Sequence, residues 1–136
     1  MKVVLFACVH NAGRSQMAAA IFNKLADPAR ARAISAGTQP EAHVHPEVVE
    51  VMREMGVDLR NVVPMKLTDD LAATANMLVT MGCGDACPVL PGVERDDWPL
   101  DDPKGQPLAR VRQIRGEIEA RVRALMGRRG WLGASG

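Results

Sequence analysis

The stretch KVVLFACVHNAGRSQMAAAIFNKLAD, residues 2–27, decides the fold. Residues 2–7 form a compact apolar run of the kind that makes a strand buried on both faces. Residues 8–14, CVHNAGR, break that run and read as a loop. Ser15 then stands where a helix cap is expected, and MAAAIFNKLAD continues as a helix until Pro28 stops it. A buried strand, a short loop and a helix in immediate succession are the opening unit of a parallel sheet.

Working outward, the pattern repeats. A second strand is expected at 31–35, stopped by Ala36-Gly37, followed by a loop at 37–45. Pro46 opens a helix that Gly56 closes. Residues 67–75 predict a short helix with Thr68 near its cap, and 76–81 (NMLVTM) an apolar strand. Residues 82–106, rich in Gly, Pro and Asp, read as functional loops with room for one short strand. Leu108, Val111, Ile114, Ile118, Val122 and Leu125 recur at helical spacing and predict a long helix over 107–126. Residues 127–136 are expected as a flexible tail in which only Trp131 has reason to pack. Strands alternating with helices give an α/β fold with a mostly parallel sheet, in one domain over residues 1–126.

Bulk properties exclude several function classes. The chain has 136 residues, 47% of them apolar, enough for a real core. Its net charge of +1 gives no global pull toward nucleic acid or membrane, so any attraction for anions is local. Aromatic content of 3%, with no Tyr, offers no stacking surface for single strands. No stretch reaches the roughly 18 apolar residues of a membrane span, and the N-terminal run is too short for a signal peptide. A cytoplasmic, monomeric protein without membrane or nucleic-acid partners is expected. Its three cysteines, Cys8, Cys83 and Cys87, are an odd number and so argue against a structural disulfide framework.

The strongest chemical signal is Cys8-Val9-His10-Asn11-Ala12-Gly13-Arg14-Ser15, a Cys followed by five residues and then Arg-Ser. At the carboxyl end of a strand, such a loop faces the crevice where open α/β sheets bind ligands. Its backbone N–H groups and the helix N-terminus make a cradle for a tetrahedral oxyanion. Gly13 supplies backbone freedom, and Arg14 offers a planar fork to two oxyanion oxygens. The same positive surroundings favour the thiolate of Cys8, the reactive form. Ser15 is placed to hydrogen-bond the sulfur and Asn11 to fix the shape of the loop. The alternative is a buried strand-end Cys with a solvated Arg nearby.

The second signal is GCGDACP, residues 82–88. Cysteines four apart on a regular helix hold their Cβ atoms beyond the roughly 3.5–4.5 Å of a disulfide, so joining Cys83 to Cys87 requires local unwinding. Gly82 and Gly84 lower the cost of that rearrangement. A structural zinc site needs about four ligands. Cys8 and loop histidines would have to converge to complete it, so no metal is expected. His43 and His45 have a His-x-His spacing, but His45 before Pro46 reads as shaping a helix start. His10 reads as a loop side chain. Trp98 is expected to pack under the Asp101-Asp102 segment, and the arginines of the last helix to form its solvated face, paired with Glu117 and Glu119.

CVHNAGRSQMA (8–18), ISAGT (34–38), VTMGCGDACP (79–88) and DWPLDDP (97–103), in this order, resemble the thioredoxin-coupled arsenate reductases, which share the fold of the low-molecular-weight tyrosine phosphatases. The resemblance runs from about residue 2 to 126. It implies a single-domain three-layer sandwich, a four-stranded mostly parallel sheet flanked by helices. It implies that Cys8 attacks arsenate, that Cys83 attacks Cys8 and releases arsenite, and that Cys87 attacks Cys83 to present a Cys83–Cys87 disulfide to thioredoxin. Arg14, Asn11 and Ser15 take the places of the oxyanion-binding and thiolate-stabilising residues, and Asp102 that of the general acid. No bound cofactor is implied, since the reducing equivalents come from thioredoxin. Two departures stand out. The gap between Cys83 and Cys87 is shorter than in better-known members, and Ala19 occupies the position where some members hold potassium through a carboxylate.

Three rival readings remain open on sequence. A low-molecular-weight phosphatase would share the loop, but Cys83 and Cys87 would have no role, and Lys104, not an aromatic, follows Asp102-Pro103. A non-enzymatic oxyanion- or arsenite-binding module would use three thiols but has no need of Asp102. A reductase coupled to a low-molecular-weight thiol can manage without the second and third cysteines.

Overall fold

The computed structural model describes residues 1–82 and 91–133. Four strands, β1 (Lys2–Cys8), β2 (Ala31–Gly37), β3 (Met77–Thr80) and β4 (Glu94–Asp97), form one sheet in the order β2-β1-β3-β4, and every pair is parallel. The helices are α1 (Arg14–Leu25), α2 (Pro46–Arg53), α3 (Asp69–Ala73) and α4 (Leu108–Arg129). β1 lies between β2 and β3, so the chain crosses from one side of it to the other. The carboxyl end of β1 is therefore the switch point at which such sheets bind ligands, and Cys8 is its last residue.

The alternation along β1 divides the core into two layers around the sheet. Val4, Phe6 and Cys8 face α1, α2 and α4, together with Met77, Val79 and Met81. Leu5 and Ala7 face the other way, onto Leu67, Ala72 of α3 and Leu78. The expected three-layer sandwich is thus present. Burying a side chain as fully as Phe6 or Phe22 stabilises by roughly 1.5–3 kcal/mol. The aromatic rings join in one row. Phe6 lies 5.5 Å from Trp98 and 6.0 Å from Phe22, which lies 6.0 Å from Trp131. Trp98 is accordingly a core residue behind the sheet's carboxyl edge, with its indole N–H donating to Asp96.

Several boundaries move from their expected places. The strand expected within 82–106 is β4, whose ERDD sequence pairs with β3 as a charged edge. The last helix continues past Met126 to Arg129, where Gly130 in the left-handed conformation ends it. Residues 127–133 of the expected flexible tail are helical or packed. Trp131 is buried against Phe22, Leu132 bridges to Ala26, and Gly133 donates to Leu25 O. Leu108, expected in the apolar stripe, is exposed at the start of α4, while the other five stripe positions are buried. The helix arginines do more than face water. Arg112 and Arg115 both pair with Glu54 beyond the end of α2, holding its carboxyl down to about 2, and Arg129 pairs with Glu94. Glu119 pairs with Arg123 and Glu117 with Arg110, as expected.

Candidate active site

The loop after β1 is shaped by its carbonyls. Cys8 O accepts from Thr38 N at 3.2 Å, Val9 O from Gln39 N at 2.8 Å, His10 O from Glu41 N at 3.0 Å and Ala12 O from His45 N at 2.9 Å. The segment 38–45 thus holds the loop from outside. In a planar trans peptide the N–H points opposite to the C=O. The amides of Val9, His10, Asn11 and Gly13 are therefore turned away from that segment. That is the inward-facing nest an oxyanion requires.

Asn11 is the keystone. It is fully buried and sits at φ 50, the left-handed region that Asn tolerates better than most residues. Its Oδ1 accepts from Met65 N at 2.9 Å and from Gln16 Nε2 at 3.1 Å, and its Nδ2 donates to Ser15 Oγ at 2.8 Å. The Met65 backbone N–H is an unambiguous donor, which fixes which end of the amide is oxygen. Ser15 Oγ thus already accepts a hydrogen bond from Asn11. Its own proton is free to be donated to Cys8 Sγ, 2.9 Å away. The chain Asn11 to Ser15 to Cys8 delivers a hydrogen bond to the sulfur, the arrangement that favours a thiolate. Replacing Asn11 by Ala should cost about 2–4 kcal/mol, because it strands the backbone N–H of Met65 and the buried side chain of Gln16 together. Urea denaturation against wild type measures this, and a loss below 1 kcal/mol would remove Asn11 from its place as the organiser of the loop.

This corrects one expectation. Ser15 does not cap α1, whose first residue is Arg14 and whose N-cap is Gly13, without a side-chain cap. The Ser15 hydroxyl is committed to the sulfur instead, and the uncapped helix end is left to the nest. Gly13, the N-cap, supplies space besides the backbone freedom expected of it. A Cβ there would come within 2.8 Å of Pro103 Cγ, so Pro103 docks on the loop because residue 13 has no side chain.

Arg14 is buried beneath the far wall of the site. Its Nη1 donates to Leu100 O at 3.0 Å, and its Nη2 lies 3.8 Å from Asp102 Oδ2. Gly82, at φ +100, abuts the guanidinium so closely that a Cβ would fall 2.4 Å from Nη1. Of the adjacent acids, Asp101 is exposed and pairs with Arg110 at 2.5 Å, whereas Asp102 faces Arg14. Cys8, Asn11, Arg14, Ser15 and Asp102 are thereby brought to one place. Cys83 and Cys87 lie outside the described residues.

Gln16, Gly82 and the Leu100 carbonyl are structural parts of the site that sequence reasoning missed. Among the described residues, one group has the composition of a metal site. His10, Glu41 and His45 bring their ligand atoms within 4.8 Å of one another. Lys104 Nζ stands 2.8 Å from Glu41 Oε1, however, so a fixed cation already occupies the carboxylate. His43, exposed, does not join His45, which is buried at the start of α2.

The sequence matches the family of low molecular weight phosphotyrosine protein phosphatases over residues 3–130. A Halobacterium salinarum protein provisionally named an arsenate reductase is 42% identical over 123 residues, 86% of this chain and 85% of that one. A thioredoxin-dependent arsenate reductase of Corynebacterium glutamicum superposes with a TM-score of 0.79 at 38% identity, covering 93% of this chain. This chain spans 61% of that protein's length. An arsenate reductase of Archaeoglobus fulgidus gives a TM-score of 0.77 at 32% identity, with 91% of this chain and 98% of that one covered. The chain belongs to the low molecular weight phosphotyrosine protein phosphatase family, within which it groups with the arsenate reductases.

Proposed function

We propose that this protein reduces arsenate to arsenite in the cytoplasm, with Cys8, Cys83 and Cys87 as a thiol relay and thioredoxin as reductant. The observation that carries the reading is the buried Cys8 sulfur. It receives the Ser15 hydrogen bond inside an amide-lined loop, with Arg14 pressed against Gly82, the residue bonded to Cys83. No helix among the described residues is long and apolar enough to cross a membrane.

In the first step the Cys8 thiolate attacks arsenic. An As–S bond forms, and an oxygen leaves as water after taking a proton from Asp102. Val9 to Gly13 and Ser15 surround the oxyanion, and Arg14 neutralises the charge on its oxygens. In the second step the Cys83 thiolate attacks Cys8 Sγ. The S–S bond forms, the As–S bond breaks, and its electron pair stays on arsenic, which leaves as arsenite. Cys87 then displaces Cys8 from Cys83, and the dithiol of thioredoxin reduces the Cys83–Cys87 disulfide, supplying the two electrons that arsenic received. A phosphatase has no use for the second and third thiols.

The test is NADPH oxidation with arsenate, thioredoxin and thioredoxin reductase. Wild type should turn over continuously. Cys83→Ser should form no arsenite. Cys87→Ser should complete about one turnover and stop at a Cys8–Cys83 disulfide. Sustained turnover by Cys87→Ser would take it out of the relay. A wild type inert toward arsenate yet hydrolysing phosphate monoesters through Cys8 would install the phosphatase reading, which the same loop geometry also serves.

A further inference from the structure

Glu41 sits between the two loops that build the site. Its backbone N–H donates to His10 O at 3.0 Å, tying it to the anion loop. Its carboxylate accepts from Lys104 Nζ at 2.8 Å. Lys104 in turn donates its backbone N–H to Asp102 Oδ1 at 3.0 Å, and the next amide, Gly105 N–H, donates to Glu47 Oε1 at 2.9 Å. Between these contacts, Pro103 rests in the space left at Gly13.

We propose that Glu41 and Lys104 form a latch that closes the Asp102 loop onto the anion loop, making them positioning residues for the proton donor. The proposal rests on the arsenate-reduction reading above. Asp102 is partly exposed, and its loop carries Pro103 and Gly105, so its backbone alone does not fix the carboxyl. The latch supplies what is missing. One end is anchored through Glu41 to the backbone of His10, and the other, Lys104, makes the Asp102 hydrogen bond with its own backbone N–H. Glu41 is faced by Lys104, by His10 Nδ1 at 3.8 Å and by His45 Nδ1 at 3.5 Å. Lys104 is faced in addition by Asp102 and Glu47. The Lys104 ammonium holds the Glu41 carboxyl below its ordinary value, and Glu41 raises that of Lys104. The pair thus remains charged on both sides of neutrality.

A partly exposed pair is a modest contributor, so the expected effects are about 3- to 5-fold. Two measurements test the latch on the full-length protein. The first is single-turnover arsenite release. Lys104→Met and Glu41→Gln should slow it by about 3- to 5-fold with the half-saturating arsenate concentration within about 2-fold, and Lys104→Arg should restore it. In an Asp102→Asn background, Lys104→Met should add nothing further. The second is amide hydrogen exchange, which needs no substrate. Exchange at Lys104 and Gly105 should quicken about 3-fold or more in Lys104→Met and Glu41→Gln. Unchanged exchange overturns the latch whether or not arsenate is reduced. An undiminished effect of Lys104→Met without Asp102 also overturns it, by placing Lys104 on the substrate instead. A wild type that reduces no arsenate defeats the functional reading, and exchange still decides the latch.

Discussion

Cys8→Ser should eliminate arsenate reduction, leaving less than about one part in a thousand of the wild-type rate. The loss has two independent sources. A serine hydroxyl in the same position is a far weaker nucleophile toward arsenic than a thiolate. Even if it bound arsenic, oxygen cannot form the disulfide through which the electrons reach arsenate. The variant should nonetheless fold. Cys8 is buried at the end of β1, and the new hydroxyl meets Ser15 Oγ, so the cost is about 1 kcal/mol. The inward amides and Arg14 remain, so the variant should still bind phosphate or arsenate in a calorimeter. Arsenite formation together with that binding isotherm distinguishes a lost nucleophile from a collapsed site. Steady-state reduction by Cys8→Ser would move the chemistry to another thiol.

The second large effect is expected of Arg14→Lys, a loss of about 100- to 1000-fold in kcat/KM for arsenate. A lysine keeps the charge, so charge alone predicts a mild result. The structure predicts a severe one because the guanidinium is held on several sides. Nη1 is spent on Leu100 O, Nη2 stands 3.8 Å from Asp102, and Gly82 leaves no room for the group to shift. A lysine carries its donors on one nitrogen, so it cannot keep the Leu100 carbonyl and present a planar pair of donors to the oxyanion in the arginine's geometry. The loss should appear in both kcat and KM, since Arg14 meets the charge of bound arsenate and of the transition state alike. A variant within about 3-fold of wild type would show that the loop amides alone bind the oxyanion.

The opening strand–loop–helix was legible in the sequence because its signals are local. The apolar run fixes β1, Cys8 and Arg14-Ser15 mark the loop ends, and Thr68 caps α3 with its hydroxyl accepting from Leu71 N. Ser15 is expected both to cap α1 and to bond the sulfur, and only the second holds, since its hydroxyl meets Cys8 and Asn11. The rest that the sequence hides lies where a residue answers to something distant. Gly13 reads as a point of backbone freedom, and its second role, leaving room for Pro103, depends on a residue far along the chain. Glu41 and Lys104 are 63 residues apart and carry no motif. Trp131 is the tail residue with reason to pack, but its partner Phe22 is far away in sequence and so not legible there. Asp102 could be preferred to Asp101 on sequence only through the resemblance. In the structure, the partners Arg14 and Arg110 separate the two acids.

The row of rings from Trp98 through Phe6 and Phe22 to Trp131 gives the molecule a built-in optical reporter. With no tyrosine in the chain, its near-ultraviolet emission comes from two indoles, both buried and each with a guanidinium near its ring, Arg121 on Trp98 and Arg129 on Trp131. One indole sits behind the carboxyl edge of the sheet, four residues before Asp102, and the other clasps the C-terminal end to α1. Their summed emission therefore carries a contribution from the chemical half of the molecule and one from its far end, with no dye attached.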